Sequence, residues 1–171
     1  MKSNLSFFRY LAYAIEIILL TALQSTPGLM PQFLGAKPFL LLAFALAVSA
    51  REDFIPAMIL AAVSGVFSDL SSAGTIGYFS VTFVLVCCAV KYFVSTYLNP
   101  TFFTYIITSA AAILMVLGLY FIIFRLYSGM SDPWTLFLNH YLSRMAVTLI
   151  SAVPLYFINL FLYHSLGKNQ L

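Results

Sequence analysis

Asp69 and Glu16 are carboxylates set in long apolar runs, where an ionised group is costly. Each must act as a hydrogen-bonded lock or as a ligand for an ion or proton. Asp69 lies in the stretch "AAVSGVFSDLSSAGTIGY", Ala61 to Tyr78, at the end of an apolar helix and before a Gly-containing turn. Ion coupling through it would need a second acid or a histidine nearby, and the local sequence offers neither. Glu16 reads as a protonated or hydrogen-bonded residue facing other helices, or as a contact to a partner or transported solute. His140 and His164 have no ligand-spaced companions, so no metal or other cofactor is expected. Cys87 and Cys88 are adjacent, cannot bridge each other without strain, and read as packing residues. The chain has no G-x-S-x-G, H-E-x-x-H or P-loop pattern and no paired acidic cluster. Nothing in it supplies an activated nucleophile with a base and an oxyanion site, so an enzyme is not expected.

The elements that must position these residues are membrane helices. The 171 residues are 63% hydrophobic and 8% charged, with a mean hydropathy of +1.01, whereas soluble domains carry about a quarter charged residues. The chain reads as a single transmembrane domain, residues 1–171, all-α and integral to the membrane. Its net charge of +3 comes from eight basic residues scattered singly, which excludes a nucleic-acid footprint.

Six segments are expected to cross or enter the bilayer. The first, Phe7 to Leu23, is a retained helix without a small-x-small cleavage site. The Pro/Gly link with Pro27, Gly28 and Pro31 leads to a short second segment, Pro38 to Ala50, tilted or re-entrant, with Pro38 in its first turn. The charges Arg51, Glu52 and Asp53 read as an aqueous turn. Further segments run from Phe54 to Leu70, from the Gly74 to Gly77 turn to Val94, from Thr101 to Arg125, and from Leu142 to Tyr163. With the N-terminus cytoplasmic, that side holds Lys2, Arg9, Arg51, Lys91 and Lys168 against Lys37, Arg125 and Arg144, which favours both termini inside. Trp134 and Tyr141 then belong to an outer aromatic belt, and Tyr10, Tyr92, Tyr97 and Tyr163 to an inner one.

In the third segment Ala57, Ala61, Gly65 and Asp69 recur every four residues and share one face. Small residues at this spacing let membrane helices approach closely, so the face is expected to be a helix contact. Asp69 is then protein-facing. It could accept backbone hydrogen bonds in the Ser71, Ser72 turn, pair with Arg144, or bind an ion, and the structural uses weigh more.

The run "KPFLLL" (Lys37 to Leu42) and "SGVFSDLSSAGTIGY" (Ser64 to Tyr78), with Gly65, Asp69, Gly74 and Gly77 in order, resemble the rod shape-determining MreD family. Ala61 stands where that family often has a further Gly. The resemblance implies a compact bundle of about six transmembrane helices, like the substrate-binding subunit fold of energy-coupling-factor transporters, in the bacterial inner membrane. It implies a noncatalytic scaffold of the elongation machinery that binds MreC and acts with MreB, RodA and a penicillin-binding transpeptidase to direct peptidoglycan insertion. The alternative is the solute-binding subunit of a vitamin or metal transporter of the energy-coupling-factor type. Its docking face of small residues would lie on the first helix, where this chain has Ala12, Glu16 and Leu20. A lipid-handling protein is a third class, and would need a groove open to the bilayer.

Overall fold

The computed structural model describes residues 2–26, 38–72, 77–97, 101–123 and 141–167. Among these the regular elements are all helical: α1 (Lys2–Ser25), α2 (Leu40–Ser49), α3 (Phe54–Ser71), α4 (Tyr78–Tyr97), α5 (Phe102–Phe121) and α6 (Leu142–Gly167). Five of the six, all but α2, are long and apolar enough to cross a membrane, so the chain is a multi-pass membrane protein. The link carrying Pro27, Gly28, Pro31 and Lys37 lies outside the described residues, as do Gly74, Trp134 and Arg125.

The outer surface is apolar. Ile18, Ile55, Leu70, Leu85, Phe103 and Phe161 are all exposed, an arrangement that suits lipid rather than water as the surrounding solvent. The polar groups turn inward. Thr21, Ser64, Ser68 and Thr108 return their hydroxyls to carbonyls of their own helices, which satisfies them without water.

Helix α2 is the centre of the bundle. Every residue from Leu40 to Ser49 is buried, consistent with a helix that is hydrophobic all round. At ten residues it spans about 15 Å, half the hydrocarbon thickness. It packs against α1, α3, α4 and α6. Its start is fixed by Phe39, whose backbone N–H donates to Thr148 Oγ1 of α6 at 3.0 Å, and whose ring meets Phe79 and Phe83 of α4 at 4.9 and 5.7 Å between centroids. Pro38 therefore does not occupy the first helical turn as expected. Phe39 takes the N-cap position, and Pro38 sits buried one residue earlier.

Pro56 does lie in the first turn of α3, and Ala57, Ala61 and Gly65 are buried along one face. Cys87 is buried in the core and Cys88 is half-buried, both as free thiols. Tyr141 departs from the interfacial expectation. It is buried against Phe121 and Tyr120, because the start of α6 packs onto the end of α5.

Candidate functional site

The Gly65 to Asp69 face meets the beginning of α4. An ideal Cβ placed on Gly65 would lie 2.5 Å from Ser80 Cα, 2.8 Å from Phe79 O and 2.9 Å from Ser80 N. Only glycine allows the two backbones this close. One turn further along α3, Asp69 Oδ1 accepts the Phe79 N–H at 3.0 Å, and Oδ2 accepts the Ser80 N–H at 2.9 Å and the Ser80 hydroxyl at 2.6 Å.

Phe79 and Ser80 are the second and third residues of α4, whose amides an N-cap side chain normally satisfies. The cap position belongs to Gly77, which has no side chain and a φ of +84°, in the region that favours glycine. Asp69 supplies the missing cap from the preceding helix. Its charge also complements the positive end of the α4 dipole.

This bears out a structural, protein-facing Asp69 but corrects both partners proposed for it. The acceptors are used by α4 rather than by the Ser71, Ser72 turn, because the chain folds back at Gly77 and presents fresh amides. Arg144 is not paired with it; the guanidinium lies 5.0 Å from the centre of the Phe39 ring. Asp69→Asn keeps one carbonyl oxygen but turns an NH2 toward an amide donor. The expected cost is about 1–3 kcal/mol, read as a lower thermal midpoint in detergent; an unchanged midpoint would remove the capping role.

A second cluster lies at the α2–α3 turn. Glu52 is only 2% exposed, so the aqueous reading of this turn fails for its middle residue. Tyr13 donates its hydroxyl to Glu52 Oε1 at 3.0 Å, and Arg9 forms an ion pair with the same oxygen at 3.0 Å. Lys91 of α4 donates to the Glu52 carbonyl at 2.6 Å. The Arg9 guanidinium also lies 5.4 Å from the ring centres of Tyr10 and Tyr163. Helices α1 and α4 thus meet on one acidic residue, and α6 joins them through Arg9. Burial holds the Glu52 carboxyl above the ordinary carboxylate range, outweighing Arg9 and Tyr13, which pull it down. Asp53, next in sequence, is exposed as expected.

Glu16 faces the bundle, where Asn159 Nδ2 donates to its Oε1 at 3.1 Å. Asn159 is itself fully buried.

Beside the Glu52 cluster a cavity of about 460 Å³ opens between the ends of α2 and α4, the first turns of α5, and α6. Arg51 and Lys91 line it, with Tyr156, whose hydroxyl is hydrogen-bonded to Arg51. Sequence reasoning took these cations as orientation signals only. The missed sign was the hydroxyl series Thr101, Thr104 and Thr108 on α5, whose spacing puts three polar residues on one face of an apolar helix.

Among the described residues no three His, Cys, Asp or Glu side chains gather at a metal-binding distance. In comparisons with known proteins, no family model, no curated protein and no solved structure matches the chain.

Proposed function

We propose that the chain is a noncatalytic membrane scaffold of the MreD kind, binding MreC within the machinery that inserts peptidoglycan along the side wall of rod-shaped bacteria. It would sit in the inner membrane with both termini cytoplasmic, on the balance of basic residues. That orientation places the Glu52 cluster at the cytoplasmic end. The observation that carries the reading is the joint action of Gly65, Asp69 and Gly77. These three of the residues on which the resemblance rests work as one helix junction, as a shared architectural motif should. A helical membrane bundle suits a part that holds partners in place. The fold of the energy-coupling-factor substrate-binding subunits belongs to the same proposal.

One observation favours the solute-binding reading instead. A 460 Å³ cavity falls within the range of small-molecule sites, roughly 300–1,000 Å³. Affinity capture of the tagged chain from gently solubilised native membranes separates the two. Recovery of MreC and wall-synthesis enzymes is the expected result; recovery of paired ATPases with a transmembrane coupling subunit would replace the scaffold with the transporter subunit.

A further inference from the structure

We infer that the cavity between α2, α4, α5 and α6 binds a phosphate group, carried on an acidic lipid or on a soluble phosphate ester. The inference rests on the cavity alone and needs neither functional reading. Two cations, Arg51 and Lys91, line it, and its described lining contains no carboxylate. Glu52 and Asp53 both act on Lys91 electrostatically, yet neither faces the cavity. Glu52 is engaged by Arg9 and Tyr13, and Asp53 points to the outside.

The opposite wall carries hydrogen-bond donors. Thr101, which caps α5 by accepting the Thr104 N–H at 3.3 Å, lines the cavity with Thr104, so the positive end of that helix dipole lies beside it. Deeper on the same face Ser109 lines the cavity at 1% exposure, its hydroxyl beside that of Tyr105. Its neighbour Tyr105 sends its own hydroxyl to the Ala152 carbonyl. Arg51 Nε is buried and without a hydrogen-bond partner, and a ligand oxygen would supply the missing acceptor.

The chemistry of the two walls selects the ligand. A guanidinium and an ammonium facing hydroxyls match the charge and the several acceptor oxygens of a phosphate. Leu46, Val90 and Val94 add an apolar strip, which suits the glycerol or acyl portion attached to it.

The test uses the purified full chain in a neutral detergent. Phosphatidylglycerol, phosphate-free diacylglycerol, glycerol 3-phosphate and inorganic phosphate are titrated separately, with bound ligand counted by native mass spectrometry and stability followed by thermal shift. The expected result is a 1:1 adduct and a raised midpoint with phosphatidylglycerol, at least tenfold tighter than with diacylglycerol. The same effect from glycerol 3-phosphate or phosphate alone would assign the site to a soluble ester. Thr108→Leu fills the cavity without removing either cation and is expected to abolish the selectivity while leaving the unliganded midpoint in place. Arg51→Gln is expected to weaken binding at least tenfold. Phosphatidylglycerol binding no tighter than that of diacylglycerol together with no binding of either soluble phosphate, or full phosphatidylglycerol selectivity in a folded Thr108→Leu, would overturn the inference.

Discussion

Gly65→Leu is expected to cost about 3 kcal/mol or more, at the upper end of the range for overpacked interiors, and to drop the thermal midpoint of the purified chain sharply. The reason is the nature of the neighbours. The three atoms that a Cβ would meet, all within 3 Å, belong to the backbone of α4, so no side chain can rotate away. The helices must separate, and separation pulls Asp69 from the Phe79 and Ser80 amides that it caps. Two losses then fall together at one junction. Gly118→Ala in α5 is the matched control. A Cβ there meets nothing within 4 Å, and the better helix former should leave stability unchanged or slightly raised. If Gly65→Leu and Gly118→Ala melt alike, close approach of α3 and α4 is not what holds this face.

The second large effect belongs to Glu52. Glu52→Ala leaves the Tyr13 hydroxyl without its acceptor and Arg9 without its counter-charge; breaking a buried pair in this way costs about 3–5 kcal/mol. Glu52→Gln should cost less, because it keeps an acceptor for Tyr13 and leaves only Arg9, whose side chain is 16% exposed, without its counter-charge.

The pH dependence has a definite sign. The folded carboxyl binds its proton more tightly than the unfolded one, whose ordinary value is 4.5. Its contribution to stability is therefore complete below pH 4.5 and declines as pH rises through the higher folded value. Thermal midpoints recorded from pH 4 to 8 should fall upward across this window in the parent chain, and Glu52→Gln should flatten that slope. A slope unaffected by the substitution would assign the titration to another group.

Helix positions were legible because this chain punctuates its apolar runs with strong breakers. Pro56 and the Arg51 to Asp53 charges mark the start of α3, and Gly77 marks the start of α4. The four-residue recurrence of Ala57, Ala61, Gly65 and Asp69 likewise identified a buried face in advance. What it could not identify was the partner, since Asp69 is served by amides ten and eleven residues later whose direction depends on the path of the returning chain. Glu52 was misread for a related reason. Three consecutive charges look aqueous locally, and the burial of the middle one depends on Tyr13 and Lys91, each 39 residues distant. The full enclosure of α2 had a sign in its all-apolar run, but in a membrane protein the same run also suits lipid contact, so composition alone does not choose.

Helix α2 also constrains how the chain is made. Ten residues, nine of them apolar, are too few to partition into a bilayer as an independent span, so it has to be sheltered by neighbours, most of which emerge after it from the ribosome. The group that anchors its start, Thr148, is 109 residues downstream of Phe39, on a helix translated after α1 to α5. Until α6 arrives, the nascent bundle holds an unclosed seam beside α2, with the Phe39 amide unpaired. Closure is thus a late, post-insertion event, and truncations removing α6 would leave a chain that is threaded through the membrane yet unable to finish its interior.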